Sequence, residues 1–175
     1  MRKTLTAQRP QAGYSLIEVL AASALLAGVL LAIMGMFVFG GQNVNAGKLM
    51  TKASSIDGDV LEQFRKFSFK QAYQVLNDAG NPDVDTRYVW NSDTNLPNYP
   101  SDPSYQAILA DWKAQVEGGL PPGARMSITV RGLQDLGANP PEEKLSKTSI
   151  LQIVVTVRWK QQRRDRSVVF ETLKI

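Results

Sequence analysis

The carboxylate of Glu18 stands immediately before an apolar run, and it is the first group in the sequence that needs a chemical explanation. No side chain in residues 19–41 is charged. At about 1.5 Å per residue, a helix of this length crosses the roughly 30 Å hydrocarbon core of a bilayer. A carboxylate on such a helix costs up to about 3 kcal/mol on insertion scales, so it usually has a function. We therefore expect Glu18 to meet a cationic partner.

Two other pairs of acids could serve general acid and base chemistry, namely Asp83 with Asp85 and Glu142 with Glu143. Neither pair has a basic or nucleophilic side chain at a spacing that would indicate a catalytic site. The chain contains no cysteine and no histidine, which removes thiol nucleophiles, histidine triads and zinc sites built on these residues. We expect no catalytic residue, no cofactor and no metal site. The alternative is an enzyme that is anchored in the membrane and uses one of these carboxylate pairs.

Residues 77–104 are rich in Asp, Asn, Pro and Gly, which predicts a long surface loop. Loops of this length are usually functional. Four of its side chains could supply oxygen ligands to calcium: Asp78, Asn81, Asp83 and Asp85. Their spacing does not match an EF-hand loop, which also needs a distal glutamate. Because Asn and Asp also form turns, the sequence favours turns here and leaves calcium open.

A basic cluster lies near the C-terminus, with Asp165 as its one acid. Its cations are Lys160, Arg163, Arg164 and Arg166. Such a cluster could contact phosphates, and Trp159 lies nearby for stacking on a base. Trp159, however, falls on the apolar face of its predicted strand. We therefore favour a solvated hairpin tip over direct binding of nucleic acid.

The elements that position these groups begin with one long helix over residues 14–67. Its first half, 19–41, is apolar on all sides, and its second half, 42–67, carries a stripe at helical spacing. That stripe consists of Leu49, Ala53, Ile56, Val60, Phe64 and Phe67. Glycines at 28, 35, 40 and 41 weaken the helix interior. Local melting near Gly35 and close packing between membrane helices both remain open explanations for them.

The remaining residues, 68–175, predict one globular domain. A short strand is expected at 87–90, and a second helix should start at the N-cap Asp102 and end at Gly118-Gly119. Alternating residues predict strands at 126–130, 151–160 and 168–174. The fold class is therefore α+β, with the long helix packed on a three- to four-stranded, mainly antiparallel sheet.

The N-terminal residues resemble the leader of a type IV prepilin. A short basic segment with Arg2, Lys3 and Arg9 precedes Gly13, and Tyr14-Ser15-Leu16-Ile17-Glu18 leads directly into the apolar run. Many members of that family have Phe-Thr where this chain has Tyr-Ser. The resemblance implies a pilin-like αβ-roll, cleavage between Gly13 and Tyr14 by a prepilin peptidase, loss of residues 1–13, and N-methylation of Tyr14. It also implies a role for Glu18 in assembly.

Two later segments are similar to the PilV-type minor pilins, the modification subfamily of type IV pilus proteins. They are ADWKAQVEGGLPPGARMSITV, which starts at residue 110, and VVTVRWKQQRRDRSVVFETLKI, which ends at residue 175. This resemblance implies a minor pilin that enters or primes a type IV pilus for adhesion, motility or DNA uptake. The implied partners are prepilin peptidase, other major and minor pilins, and the inner-membrane assembly platform. A minor pseudopilin of a type II secretion system is the alternative.

The charge distribution predicts the orientation in the membrane. The chain has a formal net charge of +4, and residues 1–13 hold three of its 20 Lys and Arg residues and no acid. Positive residues beside a membrane segment keep that end in the cytoplasm. We expect a single-pass inner-membrane protein with a cytoplasmic N-terminus and a periplasmic globular domain, which later enters a pilus or pseudopilus.

Overall fold

The computed structural model describes residues 15–93, 100–134, 142–162 and 164–175. Its elements along the chain are α1 (Leu16–Lys66), α2 (Phe69–Gln74), β1 (Arg87–Asn91), α3 (Pro103–Gly119), β2 (Arg125–Leu133), β3 (Glu142–Glu143), β4 (Ile150–Gln161) and β5 (Arg164–Lys174). The chain divides into two units, the first ending at Asn45 and the second running from Ala46 to Ile175. The α+β class predicted from the sequence is confirmed.

The long helix α1 is unbroken over 51 residues, which agrees with the predicted span of 14–67 to within two residues. In the first unit its large apolar side chains are exposed, with Leu16 at 81% and Phe37 at 77% exposure. An 18-residue window of this helix has a mean hydropathy of 2.5 and none of it is buried. By length and composition, this helix could span a membrane.

The part of α1 that belongs to the second unit buries one face. Ala53, Ile56, Val60 and Phe64, all members of the predicted stripe, are fully or almost fully buried. The ring centroids of Phe64 and Trp112 are 5.5 Å apart, and the Nε1–H of Trp112 donates a hydrogen bond to Gln63 at 2.6 Å. Phe67 is partly buried against the same core. This face of α1 therefore packs on the globular core, as predicted.

The sheet has the strand order β1-β2-β4-β5, and every pairing of the described strands is antiparallel. The four longer strands overlap the four predicted ones, of which all but β1 were predicted from alternation. The fifth, β3, is two residues long and pairs with Gly132 and Leu133 of β2. The sheet therefore has one strand more than the predicted three or four, because so short a strand forms through its distant partner and has no alternation of its own to reveal it.

Helix α2 is the other element that the sequence analysis missed. It is only 6 residues long and starts at a capping box, in which Gln71 N donates to Ser68 Oγ at 3.3 Å and Ser68 N donates to Gln71 Oε1 at 2.8 Å. Helix α3, by contrast, begins as predicted. Its N-cap Asp102 accepts a hydrogen bond from Ser104 N at 2.8 Å, and Pro103 occupies the first turn.

Candidate functional site

The N-terminal end of α1 carries the residue that the sequence singles out most strongly. The carbonyl of Ser15 accepts hydrogen bonds from Glu18 N at 2.9 Å and from Val19 N at 3.2 Å, so the first turn starts here. Glu18 lies in that turn, exposed, where the positive end of the helix dipole favours a carboxylate. Within the described part of the chain it has no ion-pair partner. Gly13 and Tyr14, the predicted processing residues, lie outside the described residues, as do the leader cations.

The surface beside Glu18 is formed by small and apolar side chains. Glu18, Ala22 and Leu26 are spaced by four, so they share one helix face, and Val19 and Ser23 line the same groove. The Ser23 hydroxyl donates to the carbonyl of Val19 at 2.7 Å, which satisfies it within its own helix. Another helix that approached this groove would therefore meet apolar atoms and one carboxylate.

Among the described residues, nothing crowds the glycines of the apolar run. A Cβ atom added at Gly28 or at Gly35 would meet no heavy atom of that part of the chain within 4 Å. The helix also continues through Gly35 without interruption. Close approach of other helices remains a sufficient explanation for these glycines, and melting near Gly35 within a filament remains a prediction.

Polar side chains of the 77–104 region form hydrogen bonds that stabilise turns. The carboxylate of Asp78 accepts hydrogen bonds from Ser101 N at 2.7 Å and from Asp102 N at 2.8 Å, which ties the two ends of the region together. Asn81 N donates to Asp85 at 3.1 Å. Among the described residues, no three acids stand close enough to hold a metal ion. These contacts favour turn formation over calcium binding.

The two carboxylate pairs lie in different local structures, Glu142 and Glu143 in strand β3 and Asp83 and Asp85 at a turn. Glu142 and Glu143 are consecutive residues of β3, so their side chains point to opposite faces of the sheet. Glu142 accepts a hydrogen bond from the hydroxyl of Thr86 at 3.1 Å. Asp85 is engaged with Asn81, and Asp83 N donates to the Asn81 side chain at 3.1 Å. The carboxylates of Glu142 and Glu143 therefore diverge, and that of Asp85 accepts a hydrogen bond within a turn.

The basic hairpin tip is exposed, but its aromatic neighbour is not available for stacking. Trp159 faces the core at 4% exposure, while Lys160, Arg164 and Arg166 are exposed. Arg163 lies outside the described residues. A base cannot stack on a side chain that is so completely covered. The exposed cations could therefore contact only the phosphates of a nucleic acid.

Asp57 is the functional candidate that the sequence analysis missed. Its side chain is 0% exposed, and neither carboxylate oxygen has a hydrogen-bond partner among the described residues. Burial raises the pKa of Asp57 to about 7. The signal was present in the sequence, because Asp57 follows Ala53 by four positions and precedes Val60 by three, which places it in the apolar stripe.

No protein-family model, no curated protein and no solved structure matches this chain.

Proposed function

We propose that this chain is a minor pilin that enters a type IV pilus or primes its assembly. One observation carries the proposal. The uncharged run begins directly after Glu18 and continues as one unbroken helix, whose later turns pack on an antiparallel sheet. The basic leader and Gly13 precede this arrangement in the sequence. Together they match the plan of a prepilin, and no catalytic role follows from them.

In this proposal the apolar run has two successive environments. It first anchors the chain in the inner membrane, with the N-terminus in the cytoplasm and the globular unit in the periplasm. Prepilin peptidase then cuts after Gly13 and methylates Tyr14. Because all the apolar side chains of this part of α1 are exposed, they remain available to pack against other pilins in a filament.

Glu18 sets the position of the subunit along the filament. Its proposed partner is the amine freed at Tyr14, on its own chain or on a neighbouring one. Coulomb attraction between the two charges grows several-fold as the dielectric falls from that of water toward that of a helical core. A subunit shifted along the axis would bury the Glu18 carboxylate without a partner, at a cost of about 3 kcal/mol or more.

The test compares Glu18→Val and Glu18→Gln with wild type in membrane and sheared-filament fractions by immunoblot. We expect both variants to be cleaved, folded and membrane-bound but poorly incorporated, with Glu18→Val the more severe. Glu18→Asp keeps the charge and serves as the matched control, with incorporation closer to wild type. Equal incorporation of wild type and Glu18→Val would contradict the proposed role of the charge. It would also favour the alternative of a pseudopilin at a filament tip.

A further inference from the structure

The tip of the β4–β5 hairpin gathers cations that the proposed function does not use. Arg125 and Arg158 are directly opposite each other in the β2–β4 register, a pairing of like charges that destabilises an isolated sheet. Arg125 has a partner in Asp93, at 2.7 Å. For Arg158, Lys160 and Arg166, the described part of the chain supplies no ion pair.

These side chains surround the end of the sheet at the hairpin tip, Arg125, Arg158 and Lys160 on one face and Arg166, the partner of Trp159, on the other. A cleft of about 670 Å³ is lined by Arg125, Arg158, Lys160 and Arg166, together with Gly123, Ser167 and the edge of Trp159, which is 4% exposed. Asp165, which stands opposite Lys160 in the hairpin register, is the one acid among its described lining residues. The surface therefore carries an excess of positive charge that the described residues do not neutralise.

The cleft lies at the end of the second unit where the chain enters it. At the opposite end, the Lys174 ammonium donates to the carbonyl of Phe64 at 3.3 Å, which places the last turn of α1 beside the last residues of β5. From Lys174, the 11 residues of β5 extend about 33 Å to the hairpin tip. From Phe64, α1 extends about 27 Å back to Ala46.

A second contact shows independently at which end of the second unit the cleft lies. A Cβ atom added at Gly119, the last residue of α3, would lie 2.8 Å from Lys52 Cε, so α3 ends beside an early turn of this part of α1. Gly123, four positions later, already lines the basic cleft. Both observations place the cleft at the Ala46 end of the second unit.

Chain connectivity then limits how far this end can be from the apolar run. Ala46 follows Gly41 by five positions, so even a fully extended chain would separate them by no more than about 18 Å. This limit holds for any orientation of the two units. If residues 19–41 span a bilayer, Ala46 therefore lies within about 18 Å of the last residue of that span.

We propose that the basic end of the second unit, formed by Arg125, Arg158, Lys160 and Arg166, docks on anionic phospholipid headgroups of the leaflet that the helix leaves. The proposal rests on the membrane span of the proposed function. Headgroup phosphates would supply the negative charge that Arg158, Lys160 and Arg166 do not find among the described residues. Nucleic acid fits less well, because Trp159 is buried and nothing else in the described lining of the cleft can stack on a base.

The experiment uses the full chain in lipid nanodiscs. Since the chain has no cysteine, Gln162→Cys at the exposed hairpin turn gives a single labelling site for a fluorophore. Quenching by nitroxides on the lipid headgroups is compared between discs of phosphatidylcholine alone and discs that also contain phosphatidylglycerol. We expect stronger quenching with phosphatidylglycerol, and its loss when salt is raised while the chain stays inserted.

The variant that tests the surface combines Arg158→Gln, Lys160→Gln and Arg166→Gln. At about fivefold per cation, the ratio of docked to undocked chain should fall roughly a hundredfold. The control removes three exposed lysines outside the basic surface, with Lys66→Gln, Lys70→Gln and Lys147→Gln, and should quench like wild type. The salt arm needs no substitution beyond the labelling site Gln162→Cys, so misfolding of the triple variant would not protect the proposal.

Three outcomes would overturn the proposal. Equal quenching in both lipids at low salt, with the chain inserted, removes the docking and leaves the pilin proposal intact. A chain that does not insert into discs of either composition removes the membrane span and the docking together. If duplex DNA changes the label emission in phosphatidylcholine discs while phosphatidylglycerol has no effect, the surface binds nucleic acid instead.

Discussion

The two parts of α1 share one secondary structure but treat their apolar side chains in opposite ways. Up to Asn45 the large apolar residues are exposed on all sides, whereas from Ala46 onward one face is buried and the other is polar. A helix that is apolar all round needs an apolar surrounding, while an amphipathic helix needs only one partner surface. The comparison shows that the distribution of polar residues, and not helix formation itself, decides which surroundings each part of α1 needs.

The largest effect expected from this difference concerns two phenylalanines on the same helix. Phe64 is 0% exposed and packs on Trp112, so Phe64→Ala should lower the unfolding free energy of the second unit by about 3–5 kcal/mol. Phe37 is 77% exposed, so Phe37→Ala should leave it unchanged. Denaturant unfolding in detergent, followed by tryptophan fluorescence, measures both. Equal losses from the two variants would contradict the division of α1.

Two acids of α1 extend the comparison to the pH dependence of stability. Asp57 has a pKa of about 7 when folded and about 3.9 when unfolded, so the folded state binds its proton more tightly. Its contribution to stability is therefore greatest below pH 4, falls as pH rises toward about 7, and stays at its lowest value above that. The total change is at most about 4 kcal/mol.

Replacing the ionisable group should remove this pH dependence. In unfolding titrations from pH 4 to pH 8, the unfolding free energy of Asp57→Asn should rise relative to that of wild type as pH rises, because its amide cannot ionise. Glu18→Gln is the control, since Glu18 is exposed and lies in the first unit, and its curve should run parallel to that of wild type. A wild-type curve parallel to that of Asp57→Asn would show that Asp57 is paired or hydrated in solution.

The sequence predicted those features that repeat along the chain. The apolar stripe of α1 placed Phe64 in the core, and alternation placed Ile128 and Val155 on the buried face of the sheet. The N-cap of α3 was also readable, because Asp102-Pro103 is a local signal. In these cases the period of the hydrophobic residues and the geometry of the element coincide.

What the sequence analysis missed has two different causes. Strand β3 depends on Gly132, where a Cβ would lie 2.5 Å from the carbonyl oxygen of Glu143, and such a close approach of distant backbones leaves no local pattern. Asp57 and the Ser68–Gln71 capping box did leave local patterns. Asp57 was overlooked because a carboxylate in a core stripe contradicts the usual burial preference.

A smaller effect is expected from placing a charge on either part of α1. Leu26→Arg inserts a guanidinium into the apolar run, at a cost of about 3 kcal/mol for membrane insertion. Met50→Arg makes the same kind of change at a residue of the second unit that is 57% exposed, and should cost almost nothing. The fraction of chain resistant to carbonate extraction measures the difference. Equal extraction of both variants would contradict the membrane span.

The most direct test of the prepilin assignment is the mass of the mature N-terminus in membranes that contain an active prepilin peptidase. Wild type should yield a chain that begins at N-methylated Tyr14. Gly13→Trp should remain full length, because a bulky side chain blocks the close approach of the backbone that cleavage requires, while Gln11→Ala should be processed normally. A wild-type chain that retains residues 1–13, or a Gly13→Trp chain that begins at Tyr14, would contradict the assignment.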